Sequence, residues 1–278
     1  MDKEFWTNVR ENKYAVPDGS SSAELTEELF TYLDSADPEL RDAIGYETFA
    51  NWLEKRQYSP EQIRTYIMRL VISLQNGIGE RDTDTVFSRA FSALFLAEII
   101  HNDNKRVYLN LDEVLSLFTK ALAYLSEECD PRGYVPEKGW AHALAHTADL
   151  LSELASNRFL ARVELEQMLS AIADKLTEPI DWAYIHNEDD RLVRVFIAAH
   201  QRQLMDEFFF QTWLKSFTAP AKHSWKGSFE SPATHIAYFN TRNFLRSLYM
   251  RVLQTEKLFN RDWLVTEIES TLRALKQF

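Results

Sequence analysis

The chain has 278 residues, of which 45% are hydrophobic and 13% aromatic, so it has enough apolar side chains to bury a core. Its net charge of -11 and its pI near 5.2 argue against nucleic acids and anionic membranes as partners, because both require a basic surface. The N-terminus lacks the apolar segment of a secretory signal, and no apolar run reaches the roughly 20 residues of a membrane span. A single cysteine, Cys129, excludes an intrachain disulfide, so we expect a cytoplasmic protein.

Apolar residues recur with helical spacing along almost the whole chain, and no segment shows the alternation of a half-buried strand. The predicted helices are residues 2–12, 22–34, 38–55, 60–76, 84–102, 111–128, 138–156, 161–176, 189–217, 233–255 and 261–276. Whether 189–217 is one helix or two is left open. The 7 glycines also disfavour folds that depend on glycine-rich turns or phosphate loops. We therefore predict an all-α protein.

Several predicted helices begin with capping residues. Asp37 precedes Pro38, and Ser59 precedes a proline with Gln62 placed for a capping box. Asp84 stands in the same way before an apolar stripe. These signals support the predicted boundaries.

The connections between the predicted helices are mostly short, which favours antiparallel packing of consecutive helices. The Asp-Pro turn within residues 35–42 is similar to the turn of a HEAT repeat. We predict a single all-α domain over residues 1–278, with an N-terminal helix and linker over 1–21 and a HEAT-like superhelical stack of helix pairs over 22–278. An α/α barrel and an irregular helical bundle are the alternatives.

The predicted helix 138–156 carries one narrow polar stripe among alanine, leucine and tryptophan residues. At about 100° per residue, His142, His146, Asp149 and Glu153 fall within roughly 60° of one another. Two imidazoles and two carboxylates in this arrangement could bind a metal, exchange protons or line a polar groove. An irregular connection at 129–137, with two prolines, precedes the helix and favours a binding loop, but a loop that closes the end of a helical stack would have the same composition.

Four motifs of the chain resemble one known family. The longest runs from Arg132 to Asp149 and contains, in order, Gly-Tyr-Val, Gly-Trp-Ala-His, Ala-His and Asp. Shorter motifs lie at residues 37–42, 84–92 and 243–249. Together they resemble the bacterial domain of unknown function 2785 over about residues 25–255. The resemblance implies a bacterial, cytoplasmic, all-α protein, and it implies no activity because that family has none established.

A metal site is one interpretation of the stripe. His142 and His146 have the i, i+4 spacing of helical zinc ligands, and Asp149 follows where it could supply an oxygen ligand. Ala143 occupies the position at which helical zinc hydrolases carry a glutamate. A divalent metal is therefore an open candidate cofactor, although the sequence requires none.

A second interpretation is purely structural: the two histidines bond to neighbouring helices, and Asp149 fixes a tautomer or pairs with an arginine. A third places a small anionic ligand at the N-terminus of the helix, where free amide groups favour negative charge. The predicted ligand-binding residues are Arg89, Arg132, Tyr134, Lys138, Trp140, His142, His146, Asp149 and Arg246.

We accordingly predict a binding protein with a groove lined by the stripe, for a protein partner or a small anionic ligand. The alternative is a metal-dependent or acid/base enzyme that uses His142, His146 and Asp149 as catalytic residues. The sequence leaves open whether the protein is an enzyme and what its oligomeric state is.

Overall fold

The structure is a computed structural model that describes residues 1–275, apart from the side chain of Glu230. These residues contain 12 α-helices and one short β-hairpin, which confirms the all-α class. The chain divides into two compact units, Met1–Leu150 and the residues from Leu151 onward. The single domain and the HEAT-like superhelix stay predictions. Among the described residues, no helix combines the length and the apolar character needed to cross a membrane.

The first unit is built from helices that pack mainly on their neighbours in the chain. Its elements are α1 (Lys3–Glu11), α2 (Ser22–Thr31), a π-helix (Glu39–Tyr46), α3 (Glu47–Glu54), α4 (Pro60–Ser73), α5 (Thr85–Lys105), α6 (Leu111–Glu127), β1 (Tyr134–Val135), β2 (Gly139–Trp140) and α7 (Ala143–Ser156). The division between the units lies within α7. The predicted capping box at Ser59 and Gln62 is present at the start of α4.

Helix α5 forms the centre of the first unit and is buried on almost all sides. The rings of Phe49 and Phe95 stack with their centroids 4.7 Å apart, and Phe30, Tyr58 and Tyr66 pack around them. Such aromatic pairs add to the stabilisation that burial of apolar area provides. The position of α5 is therefore fixed over most of its length.

The second unit contains the remaining helices: α8 (Arg162–Thr177), α9 (Glu188–Gln201), α10 (Glu207–Thr218), α11 (Pro232–Gln254) and α12 (Arg261–Ala274). Predicted helix 189–217 is two helices, because the chain turns at Gln203 with φ +55° and Asp206 caps the start of α10. The predicted C-terminal helix ends at residue 274, and position 276 of that prediction lies outside the described residues.

The predicted start of helix 138–156 is wrong, since α7 begins five residues later, at Ala143. The preceding residues form the hairpin instead: the amide of Ala141 donates to the carbonyl of Gly133, and that of His142 donates to the carbonyl of Arg132. Gly139 and His142 have φ values of +77° and +54°, which no helix accommodates. His142 thus immediately precedes the helix rather than lying on it.

Candidate functional site

The β-hairpin before α7 holds several of the predicted site residues. Its strands are antiparallel, with Tyr134 opposite Trp140 and Val135 opposite Gly139. The left-handed Gly139 lies so close to the turn before the π-helix that a Cβ there would be 2.9 Å from the Cβ of Pro38. Glycine at this position therefore permits the hairpin to pack against the N-terminal part of the unit.

Arg41 of the π-helix fixes the hairpin backbone. Its side chain is fully buried, and its Nη2 donates to the carbonyl oxygen of Lys138 at 2.8 Å. The Nη1 and Nε groups donate to the carbonyl of Ser35 and to the carboxylate of Asp42. The guanidinium also lies 4.2 Å from the ring centroid of Phe87, a cation–π distance. One buried cation thus links the hairpin to the core of the unit.

Two cations that were predicted to attract an anion are already paired with carboxylates. Arg132 Nη2 lies 2.6 Å from Oδ2 of Asp130, whose side chain is completely buried, and it also donates to the carbonyl of Thr83. The ammonium of Lys138 lies 2.6 Å from Asp84 Oδ2 and 2.7 Å from its Oδ1. These ion pairs neutralise the positive charge of the loop before α7.

Arg89 has a structural environment inside the unit. Its side chain is fully buried and forms a bidentate ion pair with Glu128, with bonds of 2.6 and 3.0 Å. The remaining donors reach the carbonyls of Asn76 and Gly77 and the hydroxyl of Thr85, each at 2.9 Å. The guanidinium therefore ties the loop after α6 to the start of α5.

Arg246 is the one predicted site residue that belongs to the second unit; the others belong to the first. It lies on the exposed side of α11, where Nη1 donates to the side-chain oxygen of Asn243 at 3.3 Å. It lines a shallow cavity with Arg251, whose guanidinium pairs with Asp190 at 2.6 Å.

A continuous series of aromatic rings joins the hairpin to the core. The rings of Trp140 and His142 stack with centroids 4.3 Å apart, and Tyr134 meets Trp140 edge-on at 5.0 Å. On the inner side, His142 and His146 lie 5.7 Å apart, and His146 lies 5.0 Å from Phe91. The rings of the two predicted site histidines therefore contact each other.

Exposure changes sharply along this series. Tyr134 is 49% and Trp140 40% exposed, whereas His142 and His146 are only 8% and 5% exposed. His146 Nδ1 lies 3.2 Å from the carbonyl oxygen of Ala90, which requires the proton on Nδ1. Two aromatic rings therefore face solvent, supported from beneath by two nearly enclosed imidazoles.

The structure gives the metal interpretation no ligand cluster. Among the described residues, no group of three or more His, Cys, Asp or Glu side chains is arranged to hold a metal ion. Asp149, the third candidate ligand, is partly exposed on α7. The catalytic assignments to His142, His146 and Asp149 stay predictions.

The sequence reasoning missed the hairpin and the role of Arg41. A signal for the hairpin was present, since Gly133 and Gly139 bracket a short segment that contains Tyr134 and Pro136. The partners of Arg41 lie up to 97 positions away in the chain. No local pattern could therefore have identified the contact that fixes the hairpin.

Comparison with known proteins identifies a family and no activity. No curated protein and no solved structure matches the chain. The profile of one family, described as "Protein of unknown function (DUF2785)", matches residues 74–250. This match includes α5, the hairpin and α7 and covers more than half of the chain. The chain therefore belongs to the DUF2785 family.

Proposed function

We propose that the protein is a binding protein and that its contact surface is formed by Tyr134 and Trp140, with His142 stacked beneath Trp140; these three residues are here called the aromatic surface. The observation that carries the proposal is the exposure of Trp140, which is 40% accessible although its ring stacks on His142. Tryptophan and tyrosine are enriched among the residues that dominate binding energy at protein interfaces. The outer face of Trp140 is thus a suitable contact for a side chain of a partner.

The anchoring of the hairpin supports this role. The carbonyl of Lys138 is held by Arg41, and the backbone of the preceding loop is held by the Arg132–Asp130 pair. A surface that is ordered before binding loses little conformational entropy when the partner arrives. The hairpin therefore presents its aromatic rings in a fixed arrangement.

A protein partner is favoured over a small anion at this position. Arg132 and Lys138 each already pair with an aspartate, and the aromatic surface itself carries no permanent charge. We propose that the partner places an apolar or cationic side chain against Trp140, because both pack well on an indole face.

Site-specific photocrosslinking in cells tests the proposal. A benzoylphenylalanine at position 134 should give one defined protein adduct, and the additional change Trp140→Ala should abolish it. The matched control carries the same group at Phe208, which is 76% exposed on α10 in the second unit. Absence of an adduct at 134, the same adduct at 208, or an adduct that persists in the Trp140→Ala protein would refute the proposal.

We also propose that the protein acts in the cytoplasm. Its single cysteine, Cys129, and its acidic composition support this location.

The close packing of α4 on α5 and of α11 on α12 supports a stack of helix pairs within each unit, as a HEAT-like arrangement requires. No observation favours an enzymatic activity over binding.

A further inference from the structure

A second feature of the first unit is an open cavity of about 360 Å³, located where α3 ends, α4 begins and α5 ends. Its lining includes Leu53, Tyr58 and Ile63, all of which are at least nine-tenths buried, together with the buried polar side chain of Asn102. Val107 forms part of its edge and is 69% exposed. The volume lies within the range of roughly 300–1,000 Å³ that is typical of small-molecule sites.

Two arginines, Arg56 and Arg106, line this cavity. Arg106 donates to the carbonyl of Glu54 at 2.8 Å and lies 3.3 Å from its carboxylate, which Lys105 shares at 3.3 Å. Among the described residues, none forms a hydrogen bond or ion pair with the side chain of Arg56. Lys105 and Arg106 thus share the carboxylate of Glu54, and Arg56 adds a positive charge that no carboxylate of the described residues pairs with.

The backbone at Arg56 has a conformation that usually belongs to glycine. Helix α3 ends in a Schellman motif, with the amide of Arg56 bonded to Leu53 and that of Gln57 bonded to Trp52. Arg56 occupies the left-handed position with φ +59°. Glycine is more favourable than arginine in this conformation, so Arg56→Gly removes the cation without straining the backbone.

We propose that this cavity binds a small amphipathic anion, with an aromatic or aliphatic body and one carboxylate, phosphate or sulfonate group. The body packs on Leu53, Tyr58 and Ile63, and the anionic group is bound by Arg56. A bidentate guanidinium contact suits any of these three oxyanions. The inference does not depend on the aromatic surface, because none of its residues lines the cavity.

The chain offers a matched control for a test of Arg56. Lys13 ends α1 in the same motif, with its amide bonded to Arg10, the amide of Tyr14 bonded to Val9, and φ +55°. It does not line the cavity. The variants Arg56→Gly and Lys13→Gly therefore remove one positive charge each and relieve the same backbone conformation, at two different places.

The probe is 8-anilinonaphthalene-1-sulfonate, whose fluorescence rises when it enters an apolar site. The full chain should bind it saturably at one site, and octanoate should displace it. Arg56→Gly should weaken the affinity at least tenfold, which corresponds to about 1.4 kcal/mol. Lys13→Gly should leave the affinity unchanged. Neither glycine variant should melt below the unchanged protein, so a lost signal cannot be attributed to unfolding.

The variant Val107→Glu tests the position of the anion independently, because it places a carboxylate at the exposed edge of the cavity. It should also weaken binding of the probe about fivefold through charge repulsion. Three results would each overturn the proposal: no saturable binding by the unchanged protein, equal affinity in Arg56→Gly, or an equal loss in Lys13→Gly. An unchanged affinity in Val107→Glu would likewise contradict it.

Discussion

Removal of the buried carboxylate of Glu128 should strongly destabilise the first unit. The partner Arg89 is fully buried, Glu128 is 6% exposed, and both bonds of the bidentate pair are 3.0 Å or shorter. In Glu128→Gln, the guanidinium of Arg89 still donates to the carbonyls of Asn76 and Gly77. It loses its ion pair, because Glu128 is the only carboxylate paired with Arg89 among the described residues.

Breaking a buried ion pair from one side typically costs 3–5 kcal/mol, because the remaining charge is uncompensated. The glutamine still accepts from the amide of Asp130, which bonds to Glu128 Oε1 at 2.8 Å, and the remaining acceptors of Arg89 reduce the loss further. We therefore expect the lower end, about 3 kcal/mol. Glu128→Ala, which also leaves that amide without its acceptor, should cost about 1 kcal/mol more.

The assay is urea denaturation followed by circular dichroism, with hydrogen exchange over residues 85–130 to assign the change to the first unit. The control is Glu113→Gln, whose partner Arg64 lies at the same 2.6 Å with both side chains partly exposed. That pair should contribute at most about 1 kcal/mol. A loss below about 1 kcal/mol in Glu128→Gln, or equal losses in the two variants, would refute the reasoning.

Three further predictions test other parts of the structure by urea denaturation or by hydrogen exchange. Gly139→Ala should lower the free energy of unfolding by about 2 kcal/mol or more, because φ is +77° and the new Cβ would lie 2.9 Å from the Cβ of Pro38. The control Gly19→Ala has a similar φ but no neighbouring atom within 4 Å, so it should lower that free energy by only about 1 kcal/mol. Arg41→Lys should raise the rate of hydrogen exchange at residues 134–142, because an ammonium group cannot form the three divergent hydrogen bonds of the Arg41 guanidinium. An unchanged exchange rate would contradict the role of Arg41 in anchoring the hairpin. Burial lowers the pKa of His200 to about 4, so the unfolded chain binds a proton that the folded chain does not. Stability should fall by about 2 kcal/mol from pH 7 to pH 5, and a His200→Phe protein with the same pH dependence would disprove this.

Local signals determined most of the helices. The capping residues Ser59 and Gln62 act within one turn of α4. The apolar residues of α5 recur at helical spacing, although the whole helix is buried on almost all sides. The contact between His142 and His146 was also predictable, although His142 lies outside α7. Its carbonyl accepts from the amide of His146 at 2.8 Å, as in a helix, so residues four apart still lie near each other.

Tertiary contacts decided where α7 begins and what the charges beside it do. Residues 138–142 are compatible with a helix, but the contact of Gly139 with Pro38 and the bond from Arg41 to Lys138 favour a hairpin. These partners lie about a hundred positions away, beyond the reach of any sequence period.

The sequence by itself determined the all-α class and the composition of the polar stripe, because capping and periodicity act between residues a few positions apart. It could not assign roles to Arg89 and Arg132, since a cation attracts a ligand only when no carboxylate already neutralises it. In the folded chain, Glu128 pairs with Arg89 and Asp130 pairs with Arg132. These two arginines therefore hold the loops around the hairpin in place. The cavity at Arg56 likewise exists only because three helices end or begin at one place.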